Sequence, residues 1–150
     1  METVQVEIES EIVGGNPSLP KLGSVVLKLA ETTLTTQDLI RRTVEEQVWN
    51  LLSARKLEQA QARQILDRHY LTEAEVRSQA SSGAVRLPRK ASATRSIDME
   101  EEIGRAVHAF QNGLFAVLVD GQQLMSLQDR VTLRQASKVT FLRLTPLAGG

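Results

Sequence analysis

Val4, Val6 and Ile8 alternate with Gln5, Glu7 and Glu9. Period-two alternation with β-branched residues predicts a half-buried strand. Ile12-Val13 runs into Gly14-Gly15-Asn16-Pro17, strong turn chemistry, and Leu22 to Ala30 reads as a second strand. The two form a hairpin with a connection longer than a tight turn. Ile40, Val44, Val48 and Leu51 then recur at helical spacing, widened by Leu39 and Leu52, while Arg41, Arg42, Glu45 and Glu46 fall outside the stripe. That pattern predicts an amphipathic helix laid on a sheet, capped at Thr35 or Thr36 and running to about Leu52. Trp49, at the edge of the stripe beside Val48, is assigned to the core.

Leu57 to Tyr70 also reads as helix, with Leu57, Ala60, Gln64 and Ile65 near one face. Thr72 and Glu75 have the spacing of a capping box, and Ser81-Ser82-Gly83 ends that segment. Arg86 to Arg95 is basic, contains a proline and has no apolar period, so it reads as a flexible connector. Asp98 opens a further helix with Met99, Ile103, Val107 and Phe110 as its buried stripe and Gly113 as its close. Leu114 to Val119 reads as a central strand, Asp120-Gly121 as a hairpin turn and Lys138 to Leu144 as the last strand. Leu124, Leu127, Val131 and Leu133 mark short returning segments between them. The order of elements predicts an α+β fold.

The chain has 150 residues, 18 basic and 18 acidic, and no cysteine. Balanced charge argues against a broad electrostatic grip on nucleic acid or an anionic membrane. The missing cysteine removes disulfides, thiolate metal sites and cysteine nucleophiles, so any thioester must sit on a partner. No segment reaches the roughly 20 apolar residues of a membrane helix, and no signal core is present. The expected compartment is the cytoplasm. With 3% aromatic residues, the core must be mostly Leu, Ile and Val. His108 sits beside a helical core stripe and His69 has no ligand-spaced neighbour, so both read as structural or solvated and no catalytic or metal-ligating residue is assigned. Arg86, Arg89, Lys90 and Arg95 have no interleaved aromatics for base stacking and read as a solvated linker.

The sequence stops on Gly149-Gly150, with Thr145 to Ala148 between them and the last strand. Pro146 discourages further strand pairing. Such a tail is a thin strap that can thread a narrow channel and present a carboxylate, since a Cβ would block close approach. The hairpin, the helix and the strands ending in Val139-Thr140-Phe141-Leu142-Arg143-Leu144 resemble the β-grasp ubiquitin-like superfamily. Pro146-Leu147-Ala148-Gly149-Gly150 is similar to the ending of the molybdopterin-synthase small subunit and thiamine sulfur-carrier branch. Leu142-Arg143-Leu144 is similar to ubiquitin's last strand, although ubiquitin has no tail proline. The resemblance is good over Leu114 to Gly150 and weaker over Met1 to Leu52. A minimal carrier of this kind is much shorter and lacks the helical insertion at about residues 55–96. Here two helices compete to be the one crossing the sheet. Long insertions resemble the ubiquitin-like proteins of bacterial conjugation operons, encoded beside activating enzymes, conjugating enzymes and a JAB-type metalloprotease.

The resemblance implies one β-grasp domain over residues 1–150, with a mixed sheet, the helical insertion and a flexible tail at 145–150. It implies a protein substrate rather than an enzyme. An adenylating enzyme of the ubiquitin-activating type would use ATP and Mg²⁺ on the Gly150 carboxylate, and this chain would bind no cofactor itself. Gly149 and Gly150 are then the activation site. Leu142, Leu144, Pro146, Leu147 and Ala148 are the partner-binding tail, if Leu142 and Leu144 rather than Phe141 and Arg143 face outward. Two fates follow: transfer through partner-cysteine thioesters to a target protein, or conversion to a thiocarboxylate sulfur carrier. A third reading is an adaptor that is never conjugated. Lys21, Lys28, Lys56, Lys90 and Lys138 are equal candidates as self-acceptors.

Overall fold

The structure, a computed structural model, describes residues 3–13, 22–71 and 97–144. Strand β1 (Val4–Val13) pairs antiparallel with β2 (Val25–Leu29), the expected hairpin. A short β3 (Thr33–Thr35) leads directly into α1 (Thr36–Trp49). The Thr35 hydroxyl caps α1 by accepting from the Asp38 amide at 3.1 Å. The helix does not run on as α to Leu52 but widens into a π-helical turn over Asn50–Ala54. Helix α2 (Gln59–Tyr70) and α3 (Met99–Gln111) follow, then β4 (Phe115–Val119), β5 (Gln122–Leu124), β6 (Arg130–Thr132) and β7 (Lys138–Leu144). The capped restart read at Thr72 and the basic connector lie outside the described residues.

The main sheet is five-stranded in the order β2-β1-β7-β4-β5, and β3 pairs with β6 in a separate ribbon. The last strand therefore sits in the middle, parallel to β1 and antiparallel to β4. A parallel neighbour needs a long crossover, and α1, α2 and α3 lie within it. They cover one sheet face. Val6, Ile8, Leu27, Val117, Val139 and Phe141 point into a core shared with Ile40 and Val44 of α1, Leu66 of α2 and Ile103 of α3. Both α1 and α3 thus contribute to the cover, and they pack on each other. The result is α+β, a mixed sheet with helices on one side.

Each helix end follows from local chemistry. Asp98 caps α3 through the Glu100 and Glu101 amides. Gly113, at φ 75°, closes it in a Schellman motif, with Leu114 N–H donating to Ala109 O and Gly113 N–H to Phe110 O. Asp120 and Gly121 take φ values of 49° and 88°, the left-handed pair of a type I′ hairpin turn. The buried face of α2 differs from the expected one. Ala62, Ile65, Leu66, His69 and Tyr70 are buried, whereas Ala60 and Gln64 are exposed, because α2 sits against α3 and the sheet end rather than beside α1 alone. Trp49 is also corrected: it is 60% exposed. Glu45 and Glu46, one turn before it, mark the polar face on which it lies.

All three phenylalanines and the tyrosine of the chain gather in one cluster. Phe115 lies 5.2 Å from Tyr70, 5.9 Å from Phe110 and 5.3 Å from Phe141 by ring centroids. Aromatic pairs at such distances add about 0.5–1.5 kcal/mol beyond area burial. The aliphatic core expected from the composition is thus organised round one aromatic centre. No helix among the described residues is long and apolar enough to cross a membrane.

Ala136 takes φ 71° in the turn before β7, a left-handed conformation that disfavours a Cβ. Ala136→Gly is expected to raise stability by about 0.5–1 kcal/mol, since relief of strain exceeds the added chain entropy. Gly121→Ala, at φ 88°, is expected to do the opposite. Urea unfolding of the two variants reads both signs.

Candidate functional site

Strand β7 carries the candidate site, and its two faces do different things. Phe141 and Arg143 point into the helical side and are buried. Leu142 points to the opposite face and is half-buried, between Glu11 of β1 and Ala116 of β4 in register. Leu144 is the last described residue, paired with Val13. Pro146, Leu147, Ala148, Gly149 and Gly150 lie outside the described residues.

The open face carries Gln5, Glu7, Glu9 and Glu11 from β1, flanked by Val26 and Lys28 of β2. On the other side stand Lys138, Thr140 and Leu142 of β7, then Ala116 and Leu118 of β4. It carries an acidic row on one strand and an apolar strip formed by Leu142, Ala116 and Leu118. A shallow hollow of about 490 Å³ lies on it, lined in part by Glu7, Glu9, Val26 and Lys138. Lys28, Lys56 and Lys138 are exposed, so none of these candidate acceptors stands out from the others.

Arg143 is the residue of this strand whose role the sequence does not reveal. Its Nη1 donates to the carbonyls of Leu71 at 2.9 Å, His69 at 3.0 Å and Arg68 at 3.3 Å. These carbonyls end α2, where the helix dipole is negative and the backbone acceptors have no partner of their own. A buried guanidinium is costly unless its donors are used, and here Nη1 is spent on the helix-end carbonyls. The last strand is thereby fastened to α2. The signal was present: Val139 and Phe141 set the inward parity, and Arg143 continues it.

Next to this clasp runs a buried polar chain. Tyr70 donates its hydroxyl to Gln47 Oε1 at 2.6 Å, and Gln47 Nε2 donates to Ser10 Oγ at 3.0 Å. Three elements, α2, α1 and β1, meet in it. His69 lies beside Tyr70, with ring centroids 4.8 Å apart. Burial pushes its imidazole down to about 3, the Arg143 charge adds to that, and a hydrogen bond to the Phe141 backbone partly opposes it. His69 is therefore neutral and structural. His108 is exposed and pairs with Asn112 at 2.8 Å.

A second polar seam joins α2 to α3. Glu102 accepts from Arg105 at 3.0 Å, Arg105 approaches Asp67 at 3.7 Å and Arg63 approaches Glu102 at 4.0 Å. Burial raises the Glu102 carboxyl to about 6 against the opposing charge of Arg105. Burial also raises Asp67. No group of three or more metal-ligating side chains occurs among the described residues. Compared with protein-family models, curated proteins and solved structures, the chain matches none.

Losing the Arg143 side chain would strand three helix-end carbonyls in the interior. Arg143→Leu is expected to cost about 3 kcal/mol. Arg143→Lys is expected to cost less, because an ammonium keeps the charge but not the fork. Denaturant unfolding measures both, and a neutral Arg143→Leu would remove the clasp from the account.

The folded His69 refuses a proton that the unfolded chain accepts below its ordinary value of 6.5. Its contribution is complete above that pH and is lost at about 1.4 kcal/mol per pH unit as acid is added toward 3. Glu102 has the opposite sign, because its folded value of about 6 lies above the free value of 4.5, and it offsets His69 between those two. The loss should therefore steepen below about 4.5. His69→Gln should flatten that acid limb, as read by unfolding curves across pH.

Proposed function

We propose that this chain is a ubiquitin-like protein of the β-grasp type whose C-terminal carboxylate at Gly150 is activated by a partner enzyme. The observation that carries the reading is the strand order β2-β1-β7-β4-β5 with β1 and β7 parallel. This order puts the last strand at the centre of the sheet, and Gly149-Gly150 follow it closely in sequence. A β-grasp is built in this way, with a hairpin, a covering helix and a central final strand. Residues 55–96 are then an insertion, of which α2 joins the common core.

The chemistry is one of acyl activation. A carboxylate is inert to amines at neutral pH. The Gly150 oxygen attacks the α-phosphorus of ATP, forming an acyl-adenylate and releasing pyrophosphate, with Mg²⁺ held by the enzyme. A thiolate on the partner displaces AMP to form a thioester. A target amine then displaces the thiolate, giving an amide and returning the thiol. This chain supplies the carboxylate and the recognition surfaces, and no step needs a side chain of its own. A conjugating enzyme, a JAB-type protease and a target protein are the partners this scheme requires. The cytoplasm, where ATP is available, is the fitting compartment.

Leu142 supports the recognition part of the reading. It faces the open side, within the apolar strip that Ala116 and Leu118 extend. A partner that grips the sheet face and the strap together would read Leu142 first, then Leu144 and the tail residues Pro146, Leu147 and Ala148.

A second reading rests on Pro146. A tail with proline, an aliphatic residue and a small residue before two glycines is similar to that of sulfur carriers. In that case a partner's persulfide would displace AMP to form an acyl disulfide, and a thiol would cleave its S–S bond, releasing a Gly150 thiocarboxylate and leaving the thiol in a disulfide.

Intact mass of the protein isolated from its own host separates these. Adducts that survive reduction and join Gly150 to another protein are the expected result. A replacement of one oxygen by sulfur at Gly150 would instead establish the carrier. Unmodified protein under every condition that expresses it would leave only a non-conjugated adaptor.

A further inference from the structure

We propose that Trp49, with Glu45 and Glu46 beside it, anchors the chain to the enzyme that takes its carboxylate, in an apolar pocket with a basic rim next to that enzyme's tail channel. The inference rests on the reading of Gly150 given above and names a contact on the partner that handles it.

Among the described residues the Trp49 indole joins no ring pair. Every other Phe and Tyr of the chain is gathered round Phe115, yet its one tryptophan stands 60% exposed. Leu39, Ile40, Val44 and Val48 bury the inner face of α1, and Trp49 falls on the outer face. Tryptophan is the residue type most enriched among those that dominate binding energy at interfaces. Trp49 is also the last α-helical residue before the π-helical turn at Asn50–Ala54, a kind of distortion that recurs at functional sites.

Its place in the molecule supplies the occupant. Helix α1 starts beside Leu127 and Asp129 and runs toward Ser10, to which Gln47 is bonded. Ser10 is the register partner of Phe141, one strand segment before β7 ends. The carbonyls at the end of α2, bound by Arg143, lie at the same end, and Tyr70 ties them to Gln47. Trp49 follows Gln47 by half a helical turn. It therefore stands at the end of the sheet from which the chain leaves toward Gly150. Val13, 51% exposed and paired with Leu144, stands there too. An enzyme that draws in the tail must cover this end of the molecule.

Glu45 and Glu46 are the charged residues of α1 nearest Trp49, with Arg41 and Arg42 a turn further back. Glu45 and Glu46 are exposed and lie one turn before it on the same side of α1. A pocket that takes the indole meets both carboxylates at its rim. Lys or Arg at that rim would speed encounter and fix orientation.

The test is made in the organism from which the chain comes. Tagged wild type, Trp49→Ala, Trp49→Phe, a Glu45→Lys and Glu46→Lys double variant, and a chain lacking Gly150 are expressed there. Gly150-linked products, whether protein adducts or thiocarboxylate, are quantified by mass spectrometry. Trp49→Ala should give at least about tenfold less product, equivalent to about 1.4 kcal/mol of lost binding, with an unchanged melting temperature. Trp49→Phe should keep part of it, and the charge-reversed double variant should lose product as well. Wild-type levels in Trp49→Ala would overturn the anchor, and an unaffected double variant would remove the basic rim. If wild type forms nothing that the Gly150-deleted chain lacks, the tail reading itself fails and the anchor falls with it.

Discussion

One guanidinium fastens the central strand to the end of α2. Arg143 reaches from the central strand to three carbonyls at the end of α2. Alone, either group would be costly to bury: a cation without acceptors, or a helix end without donors. Together, Nη1 meets the three carbonyls, and the helix dipole adds to the attraction. The arrangement forces α2 to end where β7 ends. The Tyr70–Gln47–Ser10 chain then carries the same constraint to α1 and β1.

This constraint has a functional meaning. A long insertion in a small sheet protein is easily pictured as an appended module that recognises partners. Here α2 contributes Ala62, Ile65, Leu66 and Tyr70 to the common core. It is part of the frame that holds the last strand. On the reading of Gly150 as an activated carboxylate, the strap would hang from a strand fixed on both sides by sheet pairing and from within by Arg143.

Much of this was legible in the residues. The alternation at Val4 to Glu9, the caps at Thr35 and Asp98, the Asp120-Gly121 turn and the bounds of the last strand all follow from local chemistry, and the structure has them. Other features depend on tertiary packing. The short strand Thr33–Thr35 exists because Thr33, Leu34 and Thr35 meet β6, a pairing across a long stretch of sequence. The buried face of α2 is chosen by α3, not by its own weak stripe. Trp49 was placed in the core on its hydrophobicity and its neighbour Val48, although Glu45 and Glu46 already showed which side it faced. Arg143 was visible as a charge on an inward parity, but the α2 carbonyls that accept it could not be seen from β7 alone.

The most direct test of the account is native-state hydrogen exchange of the full chain. If the clasp makes β7 and the last turn of α2 one unit, the amides of Phe141 and Arg143 and those of His69 to Leu71 should open with one free energy, equal to that of global unfolding. In Arg143→Leu the α2 amides should open at lower free energy than the β7 amides. An α2 that already opens independently in the wild type, with β7 still protected, would contradict the claim that α2 holds the last strand.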